Sequence, residues 1–113
     1  MKDQSIEKII KQFIKASNAF DVDTTLSLFA KNAVIDDVSV GQKFKNTSGV
    51  KNYLEKFFVG YNTFTKLESV ELIGKKQGIA QVDFTGDFGH ETGGLNITIN
   101  DEGLIIKIEA HLD

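Results

Sequence analysis

Gly78-Ile79-Ala80-Gln81-Val82-Asp83-Phe84-Thr85-Gly86-Asp87-Phe88 decides the fold. Ala80, Val82, Phe84, Gly86 and Phe88 fall on one side of this stretch, and Gln81, Asp83, Thr85 and Asp87 on the other. That two-residue period is the mark of a strand with one buried face. The pattern returns downstream, with Leu95, Ile97 and Ile99 set against Asn96, Thr98 and Asn100. It returns again with Ile106, Ile108, Ala110 and Leu112 against Lys107, Glu109, His111 and Asp113, where only Ile105 breaks the polar side. Together with an upstream segment, the spacing predicts four strands over 63–73, 78–88, 93–100 and 104–112. Gly-containing turns at 74–78, 89–94 and 100–103 separate them. Hairpin-linked strands with one apolar face make a curved antiparallel sheet, and that face must be covered.

The cover lies upstream. Ile6, Ile9, Ile10, Phe13, Ile14, Ser17 and Phe20 form one stripe of an amphipathic helix, with Glu7, Lys8, Lys11 and Lys15 opposite. Asp21 suits the N-cap of a second helix over 22–30, because its carboxylate can accept from backbone N–H groups one turn on. Ala33, Val34 and Ile35 form a short strand ending at Asp36 and Asp37, followed by a polar stretch through Gly49. Ser48 opens a third helix with Val50, Tyr53, Leu54, Phe57 and Phe58 on one side, and Gly60 ends it. The prediction is therefore an α+β domain, a curved antiparallel sheet wrapped around three N-terminal helices.

A chain of 113 residues, 41% hydrophobic and 26% charged, has the size and composition of one globular domain over 1–113. Its 13 cations are all Lys, scattered among 16 acids for a net charge of −3, which argues against nucleic acid as a partner. The lack of Arg removes the planar fork that clamps phosphates. With no Cys there is neither thiolate chemistry nor a disulfide, and the cytoplasm is the expected location. The charged start Met1-Lys2-Asp3-Gln4-Ser5-Ile6-Glu7-Lys8 disfavours a signal peptide, and no stretch reaches membrane-spanning length. Neither His90, placed by this reading in the second turn, nor His111 has a partner at metal-ligand spacing, so no metal and no cofactor is expected.

The order helix, helix, short strand, helix, then four strands resembles the cystatin-like α+β cone of the nuclear transport factor 2 superfamily. The stretch Asn18-Ala19-Phe20-Asp21-Val22-Asp23, then Leu26-Ser27-Leu28-Phe29-Ala30-Lys31-Asn32-Ala33-Val34-Ile35-Asp36-Asp37, is similar to its recurrent "N-A-x-D-x-D... L-F-A-x-x-A-x-x-x-D" run. Gly49 and the Asp101-Glu102-Gly103-Leu104-Ile105 turn also fit, and the resemblance spans essentially the whole chain. Among its branches, the polyketide-cyclase-like and ketosteroid-isomerase-like proteins look nearest.

The resemblance implies a small apolar ligand and a homodimer, with Asp37 at the position of the carboxylate that shuttles a proton beside a carbonyl. Along a strand Asp36 and Asp37 must point to opposite sides, so only one of them can enter a pocket. Two other isomerase groups are replaced: Phe13 stands where a hydrogen-bonding Tyr belongs and Leu95 where a protonated Asp belongs. One such donor is worth about 10²- to 10³-fold in rate, so true ketosteroid isomerase activity is not expected. An Asp-Arg-Asp hydrolase is excluded by the missing Arg. The hydroxyls of Ser17, Tyr53 and Tyr61 are other candidate donors. The ligand-binding candidates are thus Phe13, Ser17, Tyr53, Phe57, Phe84, Gly86, Leu95, Ile97, Ile108 and Ala110, with the small Gly86 and Ala110 leaving room at the open end of the sheet. The rival outcome is a hollow plugged by Phe13, Phe57 and Phe58, in a non-catalytic module that pairs through its sheet.

Overall fold

A computed structural model describes residues 5–113; Met1 to Gln4, the first half of the charged start, lie outside them. Helix α1 covers Ile6–Asn18, where Ser5 caps the first turn by accepting from the Lys8 N–H. Its apolar stripe, Ile6, Ile9, Ile10, Phe13 and Ile14, is buried. Helix α2 is Val22–Leu26, and Asp21 caps it through the Thr24 N–H at 3.1 Å. Then come β1 (Phe29–Asp37), β2 (Gln42–Lys45), helix α3 (Asn46–Tyr53) with a π-helical continuation (Leu54–Val59), β3 (Phe64–Leu72), β4 (Gln77–Gly86), β5 (Gly89–Ile99) and β6 (Ile105–Leu112). The six strands form one open, curved sheet in the order β2-β1-β6-β5-β4-β3.

The three pairings among β3 to β6 are antiparallel, as expected, and so is the unforeseen β1–β2 pair, but β1 runs parallel to β6, with Ile35 opposite Ile108 and Asp37 opposite Ala110. The sheet is therefore mixed. A parallel neighbour needs a long crossover, and α3 with β3 to β5 supplies it. Helix α1 lies against the concave face. At Gly78 an added Cβ would sit 3.3 Å from both Ile6 and Ile10, so a bare backbone there lets the helix approach β4 closely.

Several boundaries differ from the sequence reading, each for a physical reason. The second helix stops at Leu26 instead of Ala30, because the Leu28 carbonyl accepts from Ile105 N–H and Phe29 joins β6 to bury its ring. Phe20 sits beyond the end of α1 in a left-handed turn and is exposed. Strand β2 was hidden in the polar stretch, since only Phe44 of Gln42-Lys43-Phe44-Lys45 is buried. A short edge strand studded with Lys is also how a sheet discourages further pairing. Strand β5 begins at Gly89, so His90 lies on a strand rather than in a turn. There its Nε2 is 2.7 Å from Asp83 Oδ1, and this contact with the carboxylate pushes the imidazole pKa up. A register shift beside Thr98 and Ile99 reverses the last strand's start: Ile105 is fully buried and Ile106 only half-buried.

At the other edge of the sheet, β3 is held by a side chain. Asn18 donates from Nδ2 to the Thr65 carbonyl at 2.8 Å and accepts on Oδ1 from the Thr65 N–H at 2.7 Å. The amide thus occupies the place of a neighbouring strand, satisfying two backbone groups that the edge would leave unpaired. Asn18→Ala removes both bonds and is expected to cost about 1–3 kcal/mol. Asn18→Asp, which keeps the acceptor and loses the donor, should fall in between. Urea unfolding of the three proteins checks this, and equal midpoints would contradict it.

Candidate functional site

Strand β1 delivers Asp37 to the end of the concave face. Ala33, Ile35 and Asp37 are buried on one side of the strand and Asp36 is half-buried on the other, as strand alternation requires. At 5% exposure Asp37 carries a carboxylate into the interior. Removing an ion from water costs several kcal/mol unless hydrogen bonds replace the lost hydration. Three do. Tyr53 donates its hydroxyl to Oδ2 at 2.6 Å, while Ser39 donates its N–H at 3.0 Å and its hydroxyl at 2.5 Å to Oδ1.

Each donor has a local origin. Ser39 lies two residues after Asp37, the reach at which an Asp side chain folds back on its own chain in a turn, and that turn is closed by Gly41 at positive φ. Tyr53 ends α3 and is 7% exposed. Its ring packs 5.0 Å from Phe44 of β2 and 4.9 Å from Phe57, centroid to centroid. After Tyr53 the helix widens to i→i+5 hydrogen bonding, seen again where Gly60 N–H donates to Glu55 O at 2.8 Å. That widening ends with Phe58 buried and Phe57 half-buried. Such wide turns recur at functional sites.

Beside this carboxylate lies a cavity of about 330 Å³. The hairpin β4–β5 forms its far wall with Phe84, Phe88 and Glu91. The α3 side contributes Tyr53, Phe57, Phe58, Tyr61 and Thr63, the β1–β2 turn contributes Ser39 and Val40, and the end of β6 contributes Leu112. Phe57 and Phe58 are part of the wall and do not fill the space.

Of the residues singled out from sequence, Asp37, Tyr53, Phe57, Phe58, Tyr61 and Phe84 meet at this cavity. The others lie elsewhere. Phe13 is in the core, edge-to-face with Phe29 and Phe58. Leu95, Ile97, Ile108 and Ala110 are buried deeper along the same sheet face. Ser17 is buried and donates to Ile14 O at 3.1 Å, its hydroxyl satisfied within its own helix. Gly86 leaves no vacant space: a Cβ there would meet the Tyr61 carbonyl at 2.7 Å, so the glycine admits a crossing of backbone.

Sequence reasoning passed over Ser39, Val40, Thr63, Phe88, Glu91 and Leu112 as site residues. Glu91 was hidden because Gly93 and Gly94 read as a turn. They are strand interior, and a Cβ on Gly94 would lie 2.5 Å from the His111 ring. Carried back through those glycines, the inward parity of Leu95 and Ile97 reaches Glu91. Among the described residues, no group of three His, Cys, Asp or Glu side chains converges to hold a metal ion. No helix among them is long and apolar enough to cross a membrane.

Burial, then the charge of Asp37 and the hydrogen bond to it, push the Tyr53 hydroxyl well above its ordinary pKa. A raised pKa adds stability that is fully present below the unfolded value, about 10, and is lost as pH climbs toward the folded value. Wild-type stability should therefore decline above about pH 10, with Tyr53 contributing a slope of up to about 1.4 kcal/mol per pH unit. Tyr53→Phe should lack this contribution and be less stable by about 1–3 kcal/mol at neutral pH, because Asp37 loses a donor. Denaturant unfolding from pH 7 to 11 checks both, and parallel pH curves for the two proteins would count against the pair.

No family model matches the sequence, and no curated protein matches it. Solved structures do resemble the fold. A Mycobacterium tuberculosis protein in complex with estradiol-17beta-hemisuccinate superposes with a TM-score of 0.83 at 15% identity, covering 96% of this chain and 93% of that one. An epoxide hydrolase/cyclase-like enzyme of pyran ring formation in the polyether salinomycin gives 0.83 at 16% identity, over 95% and 89%. An NTF2-like protein of unknown function from Cytophaga hutchinsonii gives 0.80 at 11% identity, over 95% and 88%. With the helices, crossover and mixed sheet in place, the chain has the NTF2-like fold, the cystatin-like α+β cone.

Proposed function

We propose that the protein binds a small, largely apolar molecule in the cavity beside Asp37, and that Asp37 is the group that meets the polar end of that molecule. One observation carries the reading: a buried carboxylate forms part of a cavity otherwise walled chiefly by Phe57, Phe58, Phe84, Phe88 and Leu112. Its volume of about 330 Å³ falls within the range of small-molecule sites. An apolar wall with a few convergent polar groups is the usual form of such sites. The estradiol ester held by the Mycobacterium tuberculosis protein supports an apolar ligand in this fold.

Isomerase- or cyclase-type proton transfer is the catalytic form of the same proposal, with Asp37 as base. Binding is the better-supported part. The hydroxyls nearest Asp37 already donate to it, and Phe13 and Leu95 offer no donor for a developing oxyanion. Pairing of two copies is a separate proposal. It would use the convex face, where Gln81, Thr85, Lys107 and Glu109 are exposed and polar, which suits a modest interface.

A thermal-shift screen of fused-ring and steroidal compounds tests the reading. A ligand at about one hundred times its Kd adds about 2.7 kcal/mol to stability and raises Tm. Light scattering on the same sample gives the mass. Stabilisation by apolar compounds, with any turnover abolished in Asp37→Asn, is the expected result. No shift with any compound, together with a tight dimer, would replace it with an interaction module.

A further inference from the structure

The polar groups of the cavity are one-sided. Four hydroxyls line the space, those of Ser39, Tyr53, Tyr61 and Thr63. Three have committed their protons: Ser39 and Tyr53 to Asp37, and Thr63 to the Phe57 carbonyl at 2.6 Å. What these groups still present to a ligand is lone pairs. The two charged side chains in the lining, Asp37 and Glu91, are both carboxylates. Among the described residues no Lys is in the lining, and the chain has no Arg.

The remaining surface is largely aromatic. Tyr53, Phe57, Phe58, Tyr61, Phe84 and Phe88 contribute six rings to the lining, at varied angles to one another, and wherever a ring face is offered it carries negative electrostatic potential. The chain already uses one of them in this way, since Lys56 Nζ lies 5.3 Å from the Phe57 ring centroid. A carbonyl entering the cavity finds few free donors, and a carboxylate meets two like charges. A protonated amine meets carboxylates and ring faces together.

We propose that the ligand is an apolar organic cation, an amine on a hydrocarbon or aromatic skeleton, a claim that rests on the ligand-binding reading and narrows it. The nitrogen sits at Asp37, the hydrocarbon lies against the rings of Phe58, Phe84 and Phe88, and Glu91 on the far wall adds negative charge at the same cavity. This selects within apolar ligands by charge: amines are accepted, ketones and alcohols of the same shape bind more weakly, and acids are refused.

Three probes sharing one ring system test it by calorimetric titration at neutral pH and low salt: naphthylmethylamine, naphthylmethanol and methyl naphthyl ketone. The amine is expected to bind at least about tenfold tighter than either neutral probe, a gap of the size that cation–π and charge-assisted contacts provide. The gap should shrink in Asp37→Asn and in Glu91→Gln. The second change is at an exposed position and keeps the test valid if the first disturbs folding. Equal or weaker binding of the amine overturns the charge selection and leaves the apolar-ligand reading standing. Failure of all three probes to bind overturns both.

Discussion

The hydrogen bond from the Tyr53 hydroxyl to Asp37 ties together parts of the chain that otherwise meet only through apolar packing. Asp37 ends β1, second in the sheet order between the edge strand β2 and β6, so its position is set by pairing with Gln42 on one side and Ala110 on the other. Tyr53 comes from α3, whose direction is set by β2 through the contact of Phe44 with the Tyr53 ring. A buried carboxylate tolerates little displacement from its donors, because an unpaired charge in the interior is far more costly than a displaced methyl group. The pair therefore holds the strand end, the turn through Ser39 and the helix in one arrangement. The cavity beside it is partly a consequence. With a ring hydroxyl directed at the carboxylate, Tyr53 and Phe57 form wall and leave the space open.

How far the sequence could be read depends on what periodicity reports. The two-residue period of β4, β5 and β6 and the stripe of α1 each concern which side faces inward, and there the reading agrees with the structure except at Ile105 and Ile106, which the register shift exchanges, and at Phe20, which lies beyond the helix end. Periodicity is silent about depth along a strand. Leu95, Ile97, Ile108 and Ala110 share the concave face with Phe84 and Leu112, yet only the last two stand where the sheet opens. Nothing in the alternation marks that difference, because it depends on where α1 ends and on how the wide turn after Tyr53 directs the chain. Short or interrupted signals were lost for another reason. Strand β2 has one buried residue and hence no period, and the glycines of β5 carry the same signature as a turn although they serve a close approach to β6.

The position of Asp37 came from a resemblance; its partners came from the coordinates. A Tyr sixteen residues away on a helix, and a Ser on the following turn, are common residues with no spacing rule to join them. Only the β1–β2–α3 path brings them within bonding distance. This is the usual division in a site built on several elements: the charged residue can be proposed from its surroundings in sequence, whereas the groups that set its chemistry are tertiary neighbours.

The arrangement also bears on what the deep end of the sheet can offer a ligand. Phe13 and Leu95 are both sealed into the core. Phe58 lines the cavity on one side and packs edge-to-face on Phe13 on the other, at 6.1 Å between centroids. The floor of the cavity therefore lies above Phe13. A hydroxyl restored at that position alone would meet the rings of Phe29 and Phe58 before any ligand. The polar groups of the cavity, Asp37 with Ser39 and Tyr53 on one wall and Glu91 on the other, lie above that floor. With the floor closed by the Phe13–Phe58 contact, a donor beneath it would have nothing to bond, and an apolar ring is the better neighbour for the core.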